Sequence, residues 1–200
     1  MKKITCVTDN AVQQSSRFWG EHGLSFLIET DNGSVLFDTG QTEAVLSHNL
    51  DLLGSAPRGT SALVLSHAHV DHTGGLAVAL ALKPGLALYA SPDLFRSRYA
   101  IRGGEYRSIG LSMTRDELAH RVDLRLSEIP VEVVSDVWTT GEITDRSEPE
   151  GRGSRHVVPA DNGWQPDTYR DDMSLVVETE GGLTVICGCC HAGLLNTLAR

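Results

Sequence analysis

Apolar positions along the chain fall into short runs rich in β-branched residues: ITCV, LSFLIET, SVLFDT, ALVLSH, LALYA, VEVVSDVW, SLVVET and LTVICG. Runs of this length and make-up predict strands. DNGS, from Asp31 to Ser34, joins the second run to the third as a hairpin, because Asn and Gly accept the positive φ that such turns demand. EGG, from Glu180 to Gly182, plays the same part between the last two runs. Between the strands the apolar spacing turns helical. TEAVLSHNLDLLG, from Thr42, places Val45, Leu46 and Leu53 on one face; GGLAVALALKPG and TRDELAHRV follow the same logic. Thr114 with Glu117 three positions on predicts a capping box for the last of these. This interleaving predicts an α/β protein, and the antiparallel hairpins exclude a purely doubly wound sheet.

One stretch departs from the pattern. TDRSEPEGRGSRHVVPADNGWQPDTYRDD, from Thr144 to Asp172, is polar and rich in Gly and Pro, and too long for a simple connection. It reads as a substrate-covering loop.

Composition narrows the choices. With 200 residues, 40% of them hydrophobic and 22% charged, a single compact domain over residues 1–200 is expected. A formal net charge of -9 and no basic block argue against nucleic acid and membrane surfaces as partners. The N-terminal MKKITCVTDNAVQQ lacks an apolar core after its lysines, and no apolar run approaches the roughly 18 residues needed to span a bilayer. A cytoplasmic protein acting on a small molecule is the expectation. Cys6, Cys187, Cys189 and Cys190 match neither a disulfide framework nor a C-x-x-C pair, so reduced thiols are expected.

The chemistry is concentrated in VLSHAHVDHTGGL, from Val64 to Leu76. His67, His69, Asp71 and His72 follow a buried run in the order H-x-H-x-D-H. Two histidines one residue apart face the same way on extended backbone, and the Asp-His step must turn toward a second point, so four ligands can divide between two ions. Imidazole and carboxylate suit Zn, with Fe or Mn as alternatives. Thr73, Gly74 and Gly75 then let the backbone bend and a helix begin close by.

This motif resembles the signature of the metallo-β-lactamase superfamily. HGLSFLIET, VLFDTGQ, TTGEI, DDMSLVVET and GCCHAGLLNT are similar to successive blocks of a branch related to dihydropterin ribofuranosyl-aminobenzene phosphate synthase. The resemblance implies a four-layer αββα sandwich. It adds His191 and Asp172 to the metal ligands; two adjacent acids cannot both face a core, so only one could serve a metal, and the branch's block order implies Asp172 rather than Asp171. It places Asp38 beneath the metals, orienting a ligand histidine; from sequence alone a strand-terminal Asp starting a turn reads equally well. Cys189 is a weaker ligand candidate, His156 a solvated loop residue or substrate contact, and His22, His48 and His120 receive no role. Members of the branch continue to a C-terminal histidine, so a fold shortened at its C-terminus is expected, as a shortened homologue, a fragment, or an assembly that borrows a layer from a partner such as a second copy.

Two divalent ions, with His67, His69 and Asp71 at the catalytic point, imply a hydrolase acting through a metal-activated hydroxide on a small ester, phosphoester or heterocyclic substrate. The branch implies an alternative, a dihydropterin-linked phosphate synthase. A non-catalytic metal-binding remnant is the third reading.

Overall fold

A computed structural model describes residues 2–200. Strands β1 (Lys3–Thr8), β2 (Ser25–Thr30), β3 (Gly33–Phe37), β4 (Thr60–Val64), β5 (Ala87–Ala90) and β8 (Asp123–Leu126) form a six-stranded sheet in that order. Its first three strands pair antiparallel and the rest parallel. The predicted DNGS turn closes β2 onto β3, with Gly33 at φ 138.

Helices α1 (Glu43–Leu52), α3 (Leu76–Ala81) and α4 (Arg115–Ala119) supply Leu46, Leu50, Leu76, Leu80 and Leu118 to a core with Leu27, Leu36, Leu63 and Leu88 of this sheet. The capping box at Thr114 and Glu117 is present in both directions. Alternate residues of the same strands, Ile28, Val35, Phe37, Ala62 and Val64, face the other way. That alternation lets one sheet carry two cores.

The second core is closed by an antiparallel sheet of β14 (Gly182–Cys187), β13 (Ser174–Thr179), β10 (Val137–Thr139) and β9 (Val131–Val134), through Val133, Val137, Leu175, Val177 and Ile186. Helices, mixed sheet and second sheet are thus stacked as the α, β and β layers of the sandwich that the resemblance implies; the short helix α5 (Leu194–Leu198) follows β14.

Two readings are corrected. VEVVSDVW is not one strand: Asp136 takes φ 69, and β9 turns back on β10 as a hairpin. An unbroken apolar pattern hides such a turn because residues on both sides face the same core. The polar stretch is not simply a loop. It contains β11 (His156–Ala160) and β12 (Gly163–Pro166), which join β6 (Tyr99–Arg102) and β7 (Glu105–Ser108) in a third, antiparallel sheet. That sheet is largely exposed, so its strands lack the apolar signature; stacking of Tyr106 on Trp164, 4.3 Å between ring centroids, holds its two edges together. Among the described residues no helix is long and apolar enough to cross a membrane.

Candidate metal centre

Parallel pairing places the C-terminal ends of β3 and β4 side by side, and the residues that follow them meet at one edge of the sheet. Asp38 N–H donates to the Val64 carbonyl at 2.9 Å, and its backbone adopts φ 58. Asp is among the few residues that enter this region at small cost. After β4, His69 lies at the N-terminus of the single-turn helix α2 (Val70–Thr73). The bend at Gly74 and Gly75 has a different cause from the one expected. Both have negative φ, and glycine is required because a Cβ at either would collide with the carbonyls of Gln41 or Thr39.

The second sheet delivers its share from the same side. Antiparallel β13 begins where β14 ends, so the Asp171–Asp172 turn lies beside the Gly188–His191 segment. Met173 N–H donates to the Ser66 carbonyl at 3.0 Å and ties the two halves together.

Hydrogen bonds then decide where each imidazole keeps its proton. Ser66 Oγ has one proton, and it goes to Asp38 Oδ2 at 2.7 Å. His67 Nδ1, 2.8 Å from that oxygen, must therefore be the donor, which leaves His67 Nε2 bare. His191 Nδ1–H donates to the Gly151 carbonyl at 3.0 Å, with the same result, and His72 Nδ1–H donates to Asp38 Oδ2 at 2.6 Å, turning His72 Nε2 toward Asp71 and Cys189. Nε2 of His67, His69 and His191 are buried and have no partner in the protein. Three orphaned lone pairs in one place cost free energy unless something electrophilic sits between them. The three nitrogens lie within 4.8 Å of one another, and so do the ligand atoms of a second trio, His67, His72 and Cys189. The donor set fits divalent cations.

Protonation supports the fit. Burial holds His67 well below the usual histidine range and His69 at about 2, so both are neutral ligands. His72 is the exception: burial would lower it, but the charge and hydrogen bond of Asp38 outweigh burial and push it up to about 12. Asp71 lies with its Oδ2 3.5 Å from His72 Nε2; burial opposes ionisation, yet His72 brings its carboxyl down to about 2. For Cys189, burial is outweighed by the neighbouring imidazoles of His191 and His72, and the thiol is lowered.

The adjacent acids are not divided between core and solvent as expected. Asp171 and Asp172 are 0% and 2% exposed, because they sit in a turn ahead of β13, where strand alternation does not apply. Asp171 accepts from Ala68 N–H at 2.8 Å, between the two leading histidines, and pairs with buried Arg98 at 2.7 Å. Arg98 also holds Asp93 and Asp167. Asp172 Oδ2 accepts from Ala192 N–H at 2.8 Å, its Oδ1 is buried without a partner, and it belongs to neither trio.

Above the centre lies a cavity of about 290 Å³ whose walls include His22, Gln41, Asp71, Arg102, His156 and Cys189. His156, on β11, is 2.9 Å from Tyr169 Oη, which also accepts from Gly153 N–H; with the tyrosine proton directed to His156 Nδ1, the imidazole proton is on Nε2. Tyr169 stacks on His191 with centroids 4.1 Å apart. Sequence reasoning gave Tyr169 and Ser66 no part, and neither carries a local signal; His22 lies 3.4 Å from Asp71 Oδ2 although nothing in its neighbourhood in sequence marks it.

The fold and the sequence have counterparts. A metal-dependent hydrolase of the beta-lactamase superfamily, Tm1679, superposes with a TM-score of 0.78 at 26% identity, over 100% of this chain and 70% of that one. The 7,8-dihydropterin-6-methyl-4-(beta-D-ribofuranosyl)-aminobenzene-5'-phosphate synthase of Methanocaldococcus jannaschii is 29% identical over 99% of this chain and 71% of its own length. An uncharacterized protein of the same organism is 32% identical over 98% and 72%. The sequence profile of the metallo-beta-lactamase superfamily matches residues 19–170, a span that takes in the histidine motif, Asp38 and strands β2 to β12 and stops short of β13, β14 and His191. On the combined weight of profile, relatives and fold, this chain belongs to the metallo-β-lactamase superfamily.

Proposed function

We propose that the chain is a metal-dependent hydrolase holding two divalent cations, zinc first and iron or manganese next, and acting on a small ester, phosphoester or heterocyclic substrate. The observation that carries this is the convergence of three buried, unpartnered Nε2 atoms, from His67, His69 and His191. His67, His69 and His191 would hold one ion; Asp71 and His72, with Cys189 beside them, would hold the other. The orphaned Oδ1 of Asp172 supports it as a further donor. Ions held there supply, at neutral pH, a nucleophile from water and a Lewis acid for a carbonyl or phosphoryl oxygen.

The chain's own groups do the rest. Asp71 stays ionised through the physiological range and accepts a hydrogen bond from water in the cavity, turning its lone pair toward the substrate. His156, with its proton on Nε2, can donate to an oxygen of the substrate. Arg102 in the cavity wall favours a substrate with negative charge.

The test is elemental analysis with a diesterase and esterase panel on protein loaded with zinc, iron or manganese. His67→Ala or His69→Ala should lower bound metal by about one equivalent per chain. Metal-loaded protein inert to the whole panel would sink the hydrolase reading and leave a metal-binding protein. The synthase of Methanocaldococcus jannaschii, similar over 99% of this chain, supports a second reading, chemistry on a dihydropterin phosphate. Selective binding of a reduced pterin, without phosphodiester turnover, would favour it.

A further inference from the structure

The ion assigned above to Asp71, His72 and Cys189 has three donors, and the connection between β1 and β2 reaches the same point. The geometry points to His22 as a ligand of that second ion, closing a four-donor site of Asp71, His72, Cys189 and His22. This rests on the dinuclear reading and extends it to a residue outside the H-x-H-x-D-H motif.

Distances between donor atoms carry the inference. His22 Nε2 is 3.4 Å from Asp71 Oδ2, Asp71 Oδ2 is 3.5 Å from His72 Nε2, and His72 Nε2 is 3.1 Å from Cys189 Sγ. Nitrogen and oxygen ligands about 2.0–2.1 Å from a tetrahedral ion stand about 3.3 Å apart, and a nitrogen–thiolate edge is about 3.6 Å. These edges run as a chain, His22–Asp71–His72–Cys189: the first two already have that length, the third needs to open by roughly half an ångström, and His22 must turn toward His72 and Cys189 to close the remaining edges. All four donors border one cavity of about 270 Å³, open to solvent on the His22 side.

His22 is exposed, yet its backbone is fixed. Leu24 N–H donates to the Asp71 carbonyl at 3.2 Å, and Gly23, at φ 133, lies so close to that carbonyl that a Cβ would overlap it. Gly23 N–H in turn donates to Asn10 Oδ1 at 3.0 Å. The segment therefore docks on Asp71 through its backbone, and the imidazole needs only side-chain torsions to reach its place. Asn10 Oδ1 accepts from Gly23 N–H, so its Nδ2, 3.4 Å from His22 Nδ1, is a donor that holds the His22 proton on Nε2 toward Asp71, and ligation must move that proton. A ligand Nε2 requires the proton on Nδ1, and an acceptor opposite it would strengthen the site.

The experiment titrates metal-free protein with Co(II), following the d–d and thiolate charge-transfer bands, and counts bound ions by elemental analysis. Wild type should take two ions in separable steps. His22→Ala should weaken the second step by at least about tenfold and alter its d–d band while leaving the first step unchanged. Asn10→Asp, which offers one carboxylate oxygen to Gly23 N–H and the other to Nδ1–H, should tighten the second step. Circular dichroism checks that the exposed-site variants remain folded. If His22→Ala keeps both affinities and both spectra of the wild type, His22 is not a ligand and the dinuclear reading survives. If wild type takes only one ion, the dinuclear reading and this inference fall together.

Discussion

Asp38→Asn tests the proton logic of the centre with the smallest change of shape. Asp38 accepts three hydrogen bonds of 2.6–2.7 Å, from Ser66 N–H, Ser66 Oγ and His72 Nδ1. Asn keeps the first through its amide oxygen and is tolerated at φ 58, so the backbone should hold. Its amide nitrogen, however, can only donate. His72 Nδ1 must then become the acceptor, and its proton moves to Nε2, the atom proposed to face the second ion. Restoring the productive tautomer sets two donors against each other and loses a charge-assisted bond of about 1.5–3 kcal/mol. Affinity at the His72 position should therefore fall by roughly 10–100-fold. The His67, His69 and His191 position depends on Asp38 only through Ser66 and should change less. Stepwise metal titration against a chromophoric chelator separates the two, and ¹⁵N shifts of the His72 ring report the tautomer directly. Both affinities within about twofold of wild type, or equal losses at both, would refute the reasoning.

Other consequences are as specific. Gly188→Ala would put a Cβ within 2.6 Å of Ser66 Cβ and closer still to its Oγ, so the Ser66–Asp38–His67 chain must shift; a loss of about 1–3 kcal/mol in urea unfolding and weaker metal retention are expected. Burial, only partly offset by Arg98, raises the Asp171 carboxyl to about 7, against 3.8 for an ordinary aspartate. The folded chain then holds this proton when the unfolded chain has lost it, so its stabilisation is full below about pH 4 and disappears as pH rises through about 7. Unfolding of metal-free protein should show a wild-type stability that falls relative to Asp171→Asn across that window, by at most about 1.4 kcal/mol per pH unit; a rising difference would reverse the assignment. Phe37→Ala empties a fully buried site between the two sheets and should cost about 3–5 kcal/mol by the same measurement, without altering the order of metal binding.

Much of this protein could be read locally. Alternation along LSFLIET and SVLFDT, the Asn-Gly turn between them and the capping box at Thr114 are decided by residues within a few positions of each other, and all three are where the sequence puts them. The H-x-H-x-D-H motif is likewise local, since one extended step and one helical turn suffice to bring His69 and His72 each beside His67. Strands β6, β7, β11 and β12 escaped detection because a sheet exposed to water has no need of an apolar face. The Asp136 turn escaped because both of its arms face one core.

What only the tertiary structure decided is which distant groups share a point. His191 joins His67 and His69 across more than a hundred residues because β13 and β14 pack against the mixed sheet at the edge where β3 and β4 end. Asp171 and Asp172 are both buried because each finds its own backbone N–H donor, Ala68 and Ala192, on a different neighbouring segment. Sequence fixes the kinds of donors a chain carries; their mutual distances follow from how its layers stack, and a metal centre depends on those distances.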